Sequence, residues 1–168
     1  MILIGNIFSL LGSICSLLST RVKTYKKTLL IQSLDATCFT LSCIFLRGYS
    51  GIVVNSVAII RNLSCAFLPL KAWMKWIFVA LTMILGILFM DKSFYGILPI
   101  IASTFYSIVM VNTKDNLILK KSLLINNLLW FIYSIIILDF VGTGFKIISI
   151  ISCIHFIIKS KKDKNSIE

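Results

Sequence analysis

The sequence predicts an all-α membrane protein of seven helices, arranged as two parallel three-helix repeats joined by a single helix. Three observations predict it. The chain is 58% apolar with a mean hydropathy of +0.99 over 168 residues, well above the range of soluble domains. Its apolar residues fall into seven runs of near-membrane length separated by short polar breaks. A nine-residue block recurs 94 positions later: Lys26, Lys27, Thr28, Leu29, Leu30, Ile31, Gln32, Ser33, Leu34 is answered by Lys120, Lys121, Ser122, Leu123, Leu124, Ile125, Asn126, Asn127, Leu128. The match includes polar residues, so duplication explains it better than shared apolar composition.

The seven runs are Ile2–Ser19, Thr28–Leu46, Ser50–Leu68, Trp73–Met90, Phe94–Val111, Ser122–Leu138 and Thr143–Ile158. Only helices and closed barrels satisfy their backbone in lipid, and runs this long are helices. Residues 1–69 form the first repeat, 70–92 a linker helix, 93–159 the second repeat and 160–168 a basic cytoplasmic tail, read as disordered. Around the repeated block, Gly5 answers Gly96 at a shift of 91, while Gly48 answers Gly142 and Arg61 answers His155 at 94. The fourth run has little polarity beyond Thr82 and no counterpart, which suits a lipid-facing spacer. Pro69 breaks the chain before it, and Trp73 and Trp76 beside Lys71 and Lys75 read as interfacial anchors.

Charge placement sets orientation. Of the 17 basic residues, 13 follow runs one, three, five and seven, while the opposite breaks hold Arg47, Lys92 and Lys146. The positive-inside rule then puts the N-terminus outside and the C-terminus in the cytoplasm. The net charge of +11 is thereby a topology signal and implies no nucleic-acid partner. The opening run lacks a basic region ahead of it and reads as an N-out anchor rather than a signal peptide. Cys15, Cys38, Cys43, Cys65 and Cys153 lie inside apolar runs without C-x-x-C spacing, as small helix-facing residues.

Polar residues within the runs are the candidate site, because lipid disfavours them strongly. The second run carries Gln32 and Asp35; the third a stripe of Gly51, Asn55, Ala58, Asn62 and Cys65 flanked by Arg61; the sixth Asn126, Asn127 and Trp130; the seventh Ser149 and His155. Close helix packing accounts for Gly51, Ala58 and Cys65, whereas Asn55, Asn62 and Arg61 favour a polar cavity. Asp35 and Arg61 count to the same depth on adjacent antiparallel helices, which suits an ion pair or gate, with His155 as a related cation. Catalysis fits poorly: the one His and the one Glu, Glu168, make no nucleophile–base set, and no cluster suits a metal or cofactor.

The 3+1+3 pattern with N-out, C-in topology resembles the SWEET/SemiSWEET and PQ-loop superfamily over nearly the whole chain. Three segments look more narrowly like the bacterial inner membrane protein YgjV family: Gly51 to Asn55 through Ile60, Arg61 and Asn62; the Leu98–Pro99 pair; and Leu128, Leu129 and Trp130 with the following Gly142 and Gly144. The superfamily resemblance implies alternating access by two rocking three-helix bundles around a central polar site, with an Asn on the third helix of each bundle and often a Trp on the second. Asn55 and Trp130 fit those places, while Ser149 and Ala36, their mates at a shift of 94, depart from them. Pro99 would be the hinge, although Ile100 stands where the PQ motif has Gln, and Phe8 stands opposite Pro99. The resemblance implies a transporter or facilitator for a small polar solute. The alternative is a non-transporting receptor-like protein or assembly partner whose polar residues glue helices. Oligomeric state is not legible.

Overall fold

Seven α-helices account for the seven apolar runs, as the sequence predicts. The computed structural model describes residues 1–21, 25–68, 71–112 and 116–165. They form α1 (Ile2–Arg21), α2 (Tyr25–Leu46), α3 (Tyr49–Phe67), α4 (Ala72–Leu88), a single 3-10 turn (Phe94–Gly96), α5 (Ile97–Asn112), α6 (Asn116–Ile136) and α7 (Phe140–Asn165). Pro69 and Lys114 lie outside the described residues. The segment read as a disordered tail is helical as far as Asn165, where α7 ends, because Lys and Asp are tolerated in helices and no Gly or Pro stops it. Pro99 falls in the first turn of α5 and is buried. Its missing N–H would have had no helical partner there, so it interrupts no ladder.

The polarity of the molecule is inverted relative to a soluble domain. Its surface carries rows of Leu, Ile and Phe from every helix, while Asn6, Ser9, Ser13, Ser42, Ser50, Asn62, Ser107, Asn127 and Ser134 are buried. In water such a surface would be a large apolar patch; against lipid tails it carries no such penalty. Small and hydroxyl residues then pack the helices. A Cβ at Gly5 would meet the Leu46 side chain at 2.6 Å and one at Gly12 would meet Phe39 at 3.1 Å. These two glycines let α1 lie close on α2. Leu29–Leu46 and Tyr49–Phe67 are apolar over 18 or more residues, and the other five helices carry shorter apolar stretches.

Packing follows chain order and then closes. α1 lies on α2, α2 on α3, α5 on α6 and α6 on α7, while α3 meets α5 and α7 returns to α1. These six helices make a ring. α4 lies against both α3 and α5, and its buried Thr82 faces inward rather than to lipid.

Two turns share one geometry. Arg47 (φ 60°) and Leu138 (φ 61°) adopt left-handed conformations after α2 and α6. Behind them, Gly48 N–H donates to Cys43 O and Arg47 N–H to Ile44 O, just as Asp139 N–H donates to Ser134 O and Leu138 N–H to Ile135 O. Both are Schellman ends, and every atom pair in the first recurs 91 residues later in the second. The starts of α3 and α7 (Tyr49, Phe140) also differ by 91. The Lys-Lys block is matched at 94, three residues from the spacing of these two turns.

Candidate functional site

A cavity of about 200 Å³ lies inside the ring, room for about six or seven water molecules. α2 contributes Gln32, Asp35, Ala36, Phe39 and Cys43, and α3 contributes Val54, Asn55, Ala58, Arg61 and Asn62. Across from them, α6 contributes Leu123, Asn126, Asn127, Trp130 and Ser134. Ser16, Thr82, Ser103, Tyr106, Asp139 and Lys146 complete the wall. Helical rise places Phe39, Asn55, Trp130 and Lys146 in one layer, ~12 Å from Arg47 and Leu138.

Lys146 dominates this layer. Its ammonium lies over the Phe39 ring at 5.1 Å and the Trp130 ring at 5.8 Å from the centroids. Such cation–π contacts stabilise by roughly 0.5–2 kcal/mol, more when desolvated. Asp35 and Asp139 are the carboxylates close enough to act on it. Asp35 sits on α2 one turn deeper, and the Ser16 hydroxyl hydrogen-bonds its carboxylate. Asp35 Oδ1 and Asn55 Nδ2 are buried and have no hydrogen-bond partner among the described residues. Leaving such a group unsatisfied costs about 1–3 kcal/mol, so a polar solute matching either is favoured there.

Arg61, which the sequence pairs with Asp35, is engaged elsewhere. Its Nε donates to Asn62 Oδ1 at 3.2 Å and its Nη1 to the Ser107 hydroxyl at 2.7 Å. The cation facing Asp35 is Lys146. Depth from the sequence puts Asp35 and Arg61 at one level, but Arg61 leaves α3 on the side that meets α5.

The end of the bundle at Arg47 and Leu138 is tied by a belt of hydrogen bonds. Asp91, in the α4–α5 connection, accepts the Tyr49 N–H (2.9 Å) and Ser50 N–H (3.3 Å) at the start of α3. Its own N–H donates to the Ser50 hydroxyl at 2.9 Å. The Tyr133 hydroxyl on α6 donates to Asp91 Oδ2 at 3.0 Å and accepts the Gly51 N–H at 3.3 Å. A Cβ at Gly51 would meet Cys43 Sγ at 2.6 Å, so only glycine lets the Tyr133 ring and Cys43 close over α3. On the other side, Asp139 accepts Gly142 N–H and the Ser9 hydroxyl, both at 2.9 Å. Burial pushes the Asp139 carboxyl up, against these bonds and Lys146. Asn6 donates to Leu138 O and accepts Val141 N–H, joining α1 to the α6–α7 turn. Tyr133 also packs edge-on against Trp130 at 5.8 Å, so the belt and the Lys146 layer share a wall.

Of the residues the sequence selects, Asp35, Asn55, Arg61, Asn62, Asn126, Asn127 and Trp130 line the cavity. Ser149 is not part of its wall, and His155 is exposed on α7, away from it. Sequence reasoning passed over Lys146 by counting it as a loop charge; it lies six residues inside α7, nearly two turns, on the helix face that i, i+3 and i+4 spacing shares with Gly142. It also passed over Asp91, in the α4–α5 connection, and Asp139, whose acidic side chain directly before α7 is a capping signal.

The family described as Imp-YgjV, bacterial inner membrane protein, matches residues 3–164 of this chain. No curated protein matches it, and no solved structure does.

Proposed function

The chain belongs to the Imp-YgjV family of bacterial inner membrane proteins, and from that premise we propose that it is a small-solute transporter or facilitator. It works by alternating access between two SWEET-like three-helix bundles, α1–α3 and α5–α7, with α4 as linker. The observation that carries this reading is a polar cavity at the seam between the bundles, tied at one end by hydrogen bonds that cross the seam.

The cavity's own wall supports a parallel repeat. Gln32, Asp35, Ala36, Phe39 and Cys43 on α2 have counterparts 91 residues later in Leu123, Asn126, Asn127, Trp130 and Ser134, all of which also line it. In this register the mate of Asn55 is Lys146 and the mate of Trp130 is Phe39, so the third helices each present a polar group and the second helices each an aromatic ring. A two-fold axis along the membrane normal relates such halves, and the packing of α3 on α5 and α7 on α1 suits it. The charge bias puts the Asp91–Tyr133 belt outside. The state described is then closed to the outside, and opening requires those bonds to break while others form at the basic end.

Purified protein screened against a metabolite library by thermal shift tests the reading, since a ligand of the folded state raises apparent stability. The best hit should enter proteoliposomes, and Asn55→Ala should reduce its uptake while folding is retained. A protein that no solute stabilises, or an Asn55→Ala variant that loses folding and uptake inseparably, would favour helix glue instead.

A further inference from the structure

Resting on that reading of the cavity, we infer that its solute is a small carboxylic acid that also carries a hydrogen-bond donor, such as an ammonium or hydroxyl group. Lys146 and Asn55 seat the carboxylate, and Asp35 takes the donor.

Three groups define the ligand. The Lys146 ammonium has three N–H donors, and its close contacts, the Phe39 and Trp130 rings, are faces that hold a cation without neutralising it. Asn55 Nδ2 is a second, buried donor without a partner among the described residues. Both line the cavity at about one helical level, so one group with several lone pairs suits both, and a carboxylate is the compact choice. Asp35 Oδ1 is a buried acceptor without a partner among the described residues, one turn deeper, and calls for a donor on the same solute.

Size and charge narrow the class. About 200 Å³ partly walled by Phe39 and Trp130 suits a skeleton of three or four carbons. A simple organic cation is disfavoured because Lys146 already holds the position between the two rings. A neutral polyol would leave the ammonium without an anionic partner beyond Asp35 and Asp139. A zwitterion adds one acceptor set and one donor and leaves the local charge as it was, while a hydroxy acid supplies the same two kinds of group with one added negative charge for the Lys146 ammonium.

Four probes of one carbon skeleton test this on purified wild-type protein by thermal shift and calorimetry: alanine, lactate, propionate and isopropylamine. Alanine and lactate should stabilise most, propionate less and isopropylamine not at all. Lys146→Met should weaken alanine and lactate at least 30-fold, and Asn55→Ala about tenfold, the loss expected for one hydrogen bond. Asp35→Asn should reduce the preference of alanine over propionate. Should Lys146→Met fail to fold, Lys146→Arg, which keeps the charge, and Asn55→Ala still decide. Stabilisation by isopropylamine above alanine, no stabilisation by any of the three acids, or acid binding unaffected by both Lys146→Met and Asn55→Ala would each overturn the inference. Acid binding without flux of labelled alanine or lactate into proteoliposomes leaves the inference standing and removes the transport reading. Flux of a neutral solute without acid binding does the reverse.

Discussion

Tyr133→Phe isolates the Asp91–Tyr133 belt, because it deletes one hydroxyl and keeps the ring. That hydroxyl donates to Asp91 Oδ2 at 3.0 Å and accepts Gly51 N–H at 3.3 Å, and Tyr133 is fully buried. A bond to a charged group contributes about 1.5–3 kcal/mol and a neutral one about 0.5–1.5 kcal/mol. If both exist only with the belt closed, their loss shifts the closed–open balance by roughly 2–4 kcal/mol, about 30-fold to several hundred-fold. Cys43 reports it: this thiol is 3% exposed, lines the cavity and lies beside Gly51. In a variant keeping Cys43 as its single cysteine, a membrane-impermeant thiol reagent added from the Arg47 side should react slowly with Tyr133 in place. The Tyr133→Phe substitution should raise that rate at least tenfold, while labelling of Lys26 at the basic end by an amine reagent stays constant. An unchanged Cys43 rate in a folded Tyr133→Phe protein would refute the idea that this belt holds the cavity shut.

Asp35→Asn and Lys146→Met should be coupled, the double variant being more stable than the summed losses by about 0.5–3 kcal/mol in a denaturation cycle, as for residues sharing one network. Asp35→Asn with Arg61→Gln should be additive within about 0.5 kcal/mol, since Arg61 is held by Asn62 and Ser107; strong coupling there would restore the pair expected from the sequence. Reporter fusions after Arg47 and after Lys162 should read periplasm and cytoplasm respectively, and one compartment for both would contradict seven crossings. Burial raises the Asp139 carboxyl above its ordinary 3.8, so the folded state holds that proton more tightly than the unfolded chain does. The stability this gives is present at acid pH and falls as pH climbs through and above that ordinary value. Asp139→Asn should flatten this slope and lose the bond from Ser9, roughly 1 kcal/mol, which melting curves from pH 4 to 7 would measure.

The sequence by itself determined the helices, because twenty apolar residues between polar breaks have one stable form in lipid. It also marked Asn55, Asn62, Asn126, Asn127, Trp130 and Asp35 as cavity residues, since polar groups in such runs turn inward. It did not determine the turn geometry: the Lys-Lys block recurs at a shift of 94, while the Schellman ends at Arg47 and Leu138 lie 91 residues apart. Nor did it bring Asn55 and Lys146 into one cavity wall, which the packing of the helices decides. Nor could depth along a helix choose the partner of Asp35. Rise per residue gives a level and not a direction, and which way Arg61 and Lys146 point depends on which neighbours their helices meet. α3 turns Arg61 toward Ser107 on α5, and α7, closing the ring onto α1, brings Lys146 between Phe39 and Trp130. That closure joins residues more than a hundred positions apart, which no local pattern encodes.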